Sequence, residues 1–281
     1  MIKSLKPEPE QINHWVEFAR LWDYMTPPLR PSEEDVEVFK SHLNNWVKNY
    51  GSPRVLLLGV TPEIYHLPWP KGTDFLAVDH NPAMIERVWP GPKEKVLCCN
   101  WLNLKLPEGS RDIIFCDGGL HLLAYPKEQK QLVRIIRKFI SPCGIVIFRL
   151  FVLPSIPESP FTLAREFMEG KIFNLNLFRL RLAMSFQNNS TRGVELIKVG
   201  EFIDEFFPDL EGLAKKVGWS SADLDLLRIY RNSKNRYHFL TLKQSLDLFC
   251  GPTGNFEMQN LYFPTYEWGK QFPIIVFRRR L

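Results

Sequence analysis

Four short apolar runs in the first half of the chain each end on residues able to hold a polar ligand. "RVLLLG" ends on Gly59, and "DFLAVD" (Asp74 to Asp79) ends on Asp79. "KVLCCN" (Lys95 to Asn100) ends on Asn100 with Trp101 following, and "DIIFCD" (Asp112 to Asp117) ends on Asp117 with Gly118 and Gly119 following. Asp79 lies twenty residues beyond Gly59, about the spacing at which an acidic residue meets a ribose in dinucleotide folds. A carboxylate there can accept hydrogen bonds from both ribose hydroxyls. It could equally be a helix-start carboxylate ahead of "NPAMIERV", favoured by the helix dipole. Trp101 suits either a hydrophobic core or a ligand wall. Gly118 and Gly119 suit either a tight turn or the close approach of a ligand.

The turn after the first run, "VLLLGVTPE" (Val55 to Glu63), carries a single glycine. A pyrophosphate-binding loop needs two or three, because phosphate must come close to backbone amides. "TPE" reads instead as a helix start, with Thr61 as N-cap, Pro62 as the first helical residue and Glu63 at the positive helix end. Pro68 and Pro70 keep that helix short. Further candidates lie elsewhere. His121, in "GGLHLL", changes charge near neutral pH and could act as a general base or simply pack. Arg149, inside the apolar "GIVIFRLF", needs a partner, either an anionic substrate or a carboxylate of the protein. Tyr237 and His238, in "NRYHFLT", are weaker candidates for a substrate pocket.

The elements that must position these residues alternate. Five buried strands are expected at "RVLLLG", "DFLAVD", "KVLCCN", "DIIFCD" and "GIVIFRLF" (Gly144 to Phe151). Between them lie "NPAMIERVW", with Asn81 placed to cap and Pro82 in the first turn, and "KEQKQLVRIIRKFI", amphipathic through Leu132, Ile135, Ile136 and Phe139. This alternation predicts a parallel sheet covered on both faces. Two helices are expected before it. In the first, Ile12, Trp15, Val16, Ala19 and Trp22 share a face. The second starts at Ser32 with Asp35 in a capping-box arrangement, continues through Val36, Phe39, Leu43, Val47 and Tyr50, and ends at Gly51. From about Pro154 to Phe249 the sequence reads as helices only, an insertion expected to cap the sheet's carboxyl edge. "NFEMQNLYFP" and "FPIIVFRR" close the chain as an antiparallel edge pair.

Composition narrows the function. The 281 residues carry a formal net charge of +5, part of it in Arg278, Arg279 and Arg280. No other basic run with interleaved aromatics occurs, so nucleic acid is not an expected partner. "MIKSLKPEPE" lacks the apolar run of a secretory signal. "GIVIFRLFVL" is about half the length of a membrane span. A soluble, cytoplasmic protein without membrane contact is expected. The five cysteines, Cys98, Cys99, Cys116, Cys143 and Cys250, are expected to be reduced and buried, and none has zinc-ligand spacing.

"CNWLNLKLPEGSRDIIFCDGGLHLL", "ISPCGIVIF" and "FPIIVFRR" resemble the class I S-adenosylmethionine-dependent methyltransferases from about Arg54 to Phe151 and in the closing strands. The resemblance implies a Rossmann-like α/β fold: a doubly wound, mostly parallel seven-stranded sheet, with N-terminal helices and a helical insertion between strands five and six. The expected division is a lid over residues 1–50, a core over 51–153 and 236–281, and a cap over 154–235. The resemblance also implies S-adenosylmethionine as cofactor; no metal is expected, because no cysteine pair has zinc-ligand spacing and the six histidines are scattered. Asp79 would hold the ribose, with His80 and Met84 nearby; Asn100, Trp101 and Leu102 would flank the adenine. Gly59, Val60 and Thr61 would pass the methionine half, with Asp117, Gly118 and Gly119 opposite. The family commonly has an acid at Leu57 and glycines at Thr61 and Glu63, so Glu63 could supply the missing acid. Tyr24, Arg30 and Ser32 could touch the cofactor if the N-terminal helices form a lid rather than a collar. The implied reaction is methyl transfer to a small-molecule O, N or C nucleophile, with His121 as candidate base and Arg149, Tyr237 and His238 toward the acceptor. Two other readings remain: a non-catalytic nucleoside-binding module on the same fold, and a nicotinamide-dependent oxidoreductase, which the missing glycines disfavour.

Overall fold

The structure, a computed structural model, describes residues 12–280. The start "MIKSLKPEPE" lies outside the described residues, as does the side chain of Ile12. Seven strands form the main sheet: β1 (Arg54–Leu58), β2 (Asp74–Asp79), β3 (Val96–Cys98), β4 (Arg111–Asp117), β5 (Ile140–Arg149), β8 (Phe256–Tyr262) and β9 (Ile274–Arg279). Their order is β3-β2-β1-β4-β5-β9-β8. The first five pair in parallel, and β9 runs antiparallel to both β5 and β8. This is a doubly wound, Rossmann-like sheet with an antiparallel edge.

Alternation along the strands splits the core into two layers. Val55, Leu57, Ile113, Phe115 and Ile147 face one side; Leu56, Leu58, Ile114, Cys116, Val146 and Phe148 face the other. The second face is covered by α5 (Lys127–Phe139), through Leu132, Val133 and Ile136, and by α11 (Leu242–Cys250), through Leu248 and Phe249. The first face is covered by α2 (Glu33–Tyr50), whose Phe39 rests edge-on against Phe115 at 5.7 Å. The Ser32–Asp35 capping box forms at the start of α2, and Gly51 ends the helix at φ +86°. Its inner face differs from expectation at the end: Trp46 is buried and donates to the Cys143 carbonyl at 3.1 Å, while Tyr50 is exposed. Contrary to the expectation of buried thiols, only Cys116 is buried: Cys143 is exposed, and Cys98, Cys99 and Cys250 are half-buried. All five cysteines are free.

The amino edge of the sheet is tied shut by charge. Arg54 donates to both oxygens of Asp112 at 2.8 Å, and Arg111 to Asp74 at 2.9 Å. At the opposite edge, β1 feeds the short α3 (Pro62–Tyr65) and β2 feeds α4 (Pro82–Arg87), both opening on proline. Asn81 caps α4 by accepting from the Ala83 and Met84 amides. Thr61 holds the N-cap position of α3 but makes no capping hydrogen bond, contrary to the expected cap.

Between β5 and β8 the chain forms α6 (Pro160–Met168), α7 (Leu175–Ser185), α8 (Leu196–Phe206), α9 (Leu210–Val217) and α10 (Ser221–Arg228). The segment is not all helical. Val194–Glu195 (β6) and Arg236–Tyr237 (β7) pair as a small antiparallel ribbon. Two-residue strands leave no periodicity in the sequence, so no local pattern signals the ribbon. The N-terminal α1 (Ile12–Arg20) packs against α4. Among the described residues no helix is long and apolar enough to cross a membrane.

Candidate active site

Strand order reverses between β1 and β4, and a parallel sheet leaves its ligand crevice outside the strand ends at that point. A cavity of about 230 Å³ opens there. One side of it is sheet-borne. Leu58 to Thr61 follow β1; Asp79 and His80 end β2, with Met84 on α4 behind them; Asn100 to Leu102 follow β3; Asp117 to Gly119 follow β4. The backbone here is specialised. Gly59 has φ +110° and open space where a side chain would begin; Gly118 has φ +58°, and a Cβ there would stand 2.8 Å from the Phe151 ring.

Hydrogen bonds fix the polar groups. The Val78 carbonyl accepts from the Gly59 amide at 2.8 Å and from the Trp101 indole at 2.7 Å, locking Trp101 between the ends of β1 and β2. Trp101 is therefore both core and wall. Asp79 accepts from the Asn81 amide at 2.8 Å, and burial pushes its carboxyl above the usual range. Its side chain keeps 13% exposure at the cavity. Asn100 accepts from the Leu102 amide at 2.8 Å.

The other side is aromatic. Trp15, Phe18, Trp22, Met25 and Leu29 come from the N-terminal segment. Leu180 comes from α7, Tyr230 follows α10, and Tyr237 comes from the ribbon. His121 and Phe151 close the floor near β4 and β5. His121 stacks between Phe151 and Phe239, at 5.1 and 4.9 Å, with Tyr237 edge-on at 4.7 Å. Its Nδ1 is buried without a partner. Burial alone pushes the imidazole down to about 3, so the ring is neutral at physiological pH and well removed from an ideal base.

Three expected site residues do not line the cavity. Arg149 is 1% exposed and belongs to a buried charge network: Nε meets Asp117 at 2.5 Å, Asp35 lies at 3.8 Å, and Nη1 donates to the Pro28 carbonyl at 2.8 Å. Its partner is thus protein, not an anionic substrate, and it ties β5 to the N-terminal segment. Burial disfavours its charge, but Asp117 and Asp35 outweigh that and hold it protonated. Burial also pushes Asp117 up to about 6, with Arg149 pulling against it. Glu63 is engaged by Arg30 at 2.7 Å, so the acid expected to face the ligand is already paired. His238 donates its amide to the His121 carbonyl at 2.7 Å, and its Nδ1 meets the Ser190 carbonyl at 2.9 Å; it supports the floor from behind.

In the N-terminal segment the contacts fall on different residues from those expected. Tyr24 is exposed, Ser32 caps α2 and Arg30 pairs with Glu63. The cavity is met instead by Phe18, Trp22, Met25 and Leu29. The helical face shared by Trp15 and Trp22 was the available signal for this surface. Tyr230 and Leu180 had none, since they are brought in by tertiary packing alone.

Comparisons agree with this architecture. Residues 56–148 match a family model described as a methyltransferase domain. Similar solved structures share the fold at low identity. A Rhodobacter sphaeroides protein bearing the name of a zinc-dependent alcohol dehydrogenase has a TM-score of 0.63 at 12% identity, covering 98% of this chain and 100% of its own. The CcbJ methyltransferase of Streptomyces caelestis has 0.54 at 12%, covering 96% and 99%. The 1,6-didemethyltoxoflavin-N1-methyltransferase of Burkholderia thailandensis, solved with 1,6-didemethyltoxoflavin and S-adenosylhomocysteine, has 0.51 at 12%, covering 100% and 94%. No curated protein matches the sequence. The match over residues 56–148 is consistent with the class I S-adenosylmethionine-dependent methyltransferase family.

Proposed function

We propose that the protein transfers a methyl group from S-adenosylmethionine to a small molecule held in this cavity. The observation that carries the reading is the charge of the lining: Asp79 and Asp117 end β2 and β4, the strands on either side of β1, and no lysine or arginine lines the cavity among the described residues. A pyrophosphate would meet carboxylates there, and the turn after β1 offers it only the single Gly59, which disfavours a dinucleotide. A nucleoside bearing sulfonium and ammonium charges fits. Asp79 would hold the ribose hydroxyls, Asn100 to Leu102 would border the adenine, and Gly59 to Thr61 with Asp117 to Gly119 would flank the methionine half. When bound, the cofactor supplies an electrophilic methyl carbon.

The protein's own part is positioning and exclusion of water. The roof of Phe18, Trp22 and Tyr230 encloses the acceptor, which favours a small molecule over a polymer. His121 is neutral and hydrophobically packed, so we assign it a wall role rather than that of a general base. Methyl transfer to a nucleophile that is already deprotonated, or that sheds its proton to water, needs no such base.

Incubation with methyl-labelled S-adenosylmethionine and a panel of small acceptors tests the reading. Label transfer to an acceptor supports it. Tight binding of S-adenosylhomocysteine without transfer across the panel would favour the non-catalytic nucleoside-binding module instead.

A further inference from the structure

Three arginines stand behind aromatic walls of the cavity, and two of them are neutralised. Arg30 lies 5.1 Å from the Trp22 ring and is paired with Glu63. Arg149 lies 5.3 Å from the Phe151 ring and is paired with Asp117. Arg179, on α7, is different. It is fully buried, its guanidinium sits 5.7 Å from the Phe18 ring and 5.1 Å from the Tyr230 ring, and no carboxylate pairs with it among the described residues. Nη1 donates to Asn176 at 3.2 Å, while Nε and Nη2 are buried without any partner.

A buried, unpaired charge with idle donors is costly, because the flanking rings replace only part of its lost hydration. Protein stability gives no reason to keep it, since apolar residues of similar size serve buried positions as well or better. Its surroundings point to a ligand. Phe18 and Tyr230 line the cavity, as does the adjacent Leu180. Tyr237, also in the lining, is hydrogen-bonded to Tyr230; burial pushes its hydroxyl well above its ordinary range, and the charge of Arg179 acts in the opposite direction. The field of Arg179 thus reaches the acceptor side of the cavity.

We propose that Arg179 is a specificity residue, and that the methyl acceptor is an aromatic carboxylate whose ring lies against the Phe18–Tyr230–Tyr237 wall and whose anionic group engages the two idle Arg179 donors. Engagement requires the Tyr230 or Phe18 ring to turn aside, a side-chain movement. The inference rests on the methyltransferase reading of the cavity for its role, but not for its binding.

The test uses calorimetry on the full chain saturated with S-adenosylhomocysteine, with 2-naphthoate and 2-naphthamide as a matched charged and neutral pair. Naphthoate should bind about ten- to a hundredfold more tightly, the value of a hydrogen-bonded charge. Arg179→Met should erase that preference, leave S-adenosylhomocysteine affinity within about twofold of the parent, and melt at the same temperature or higher. Equal binding of the pair, binding of neither, or a lower melting temperature for Arg179→Met would overturn the proposal, the last by showing that the guanidinium has a structural partner. If S-adenosylhomocysteine does not bind, the same pair is titrated into the protein without it, where a persisting naphthoate preference would count against the cofactor reading and not against Arg179.

Discussion

The two sides of the cavity are built on different principles. The sheet side is made of strand ends that follow one another within residues 58–119, and its polar groups are held by local hydrogen bonds such as Asn81 to Asp79 and Leu102 to Asn100. The roof is made of Phe18, Leu180, Tyr230 and Tyr237, which are distant in sequence, and its rings pack on one another through Tyr230. One side presents carboxylates and amides; the other presents rings with arginines behind them. A common scaffold can therefore keep the chemistry of one wall while the other is redrawn for a new acceptor.

The largest expected effect comes from cutting the link between the two sides. Arg149→Met leaves Asp117 and Asp35 buried without their cation, and should lower unfolding free energy by about 3–5 kcal/mol in urea titration. Next, Asp79→Ala should weaken S-adenosylhomocysteine about a hundredfold, roughly 3 kcal/mol of charge-assisted hydrogen bonding. A change under threefold in calorimetry would remove the ribose role from the sheet side.

On the roof side, His121 provides a pH signature. Burial holds its folded-state value at about 3, below the unfolded value of about 6.5. The unfolded chain then binds the extra proton between these values, so stability falls as pH drops through this window. His121→Phe should remove about 2 kcal/mol of the loss seen between pH 6.5 and 5, measured as the difference between variant and parent. An unchanged slope would show that His121 is more solvated than its packing implies. The smallest effect is expected at Glu63. Because Arg30 already occupies it, Glu63→Gln should change S-adenosylhomocysteine affinity less than about twofold, and stability by under about 1 kcal/mol.

These two sides also differ in how far the sequence reveals them. Strand runs such as "DFLAVD", the Ser32–Asp35 capping box and the Asn81 cap are local, and each appears where its residues predict it. Gly59 to Thr61, Asp79 to His80, Met84, Asn100 to Leu102, Asp117 to Gly119, His121 and Tyr237 all reach the cavity. What local pattern cannot show is which distant group meets which. The Arg149 pair with Asp117 and Asp35, the Arg30 pair with Glu63, and the place of Tyr230 and Leu180 in the roof all join separate elements. Trp46 replaced Tyr50 on the inner face of α2 for a related reason: its indole found the distant Cys143 carbonyl.

The central claim is that this cavity binds a nucleoside with a sulfur-bearing side chain. Titration of S-adenosylhomocysteine into the parent protein by calorimetry addresses it most directly. Saturable one-to-one binding with a Kd of about 1–100 μM, or roughly 5–8 kcal/mol, is expected. A folded protein that gives no binding at millimolar ligand would contradict it.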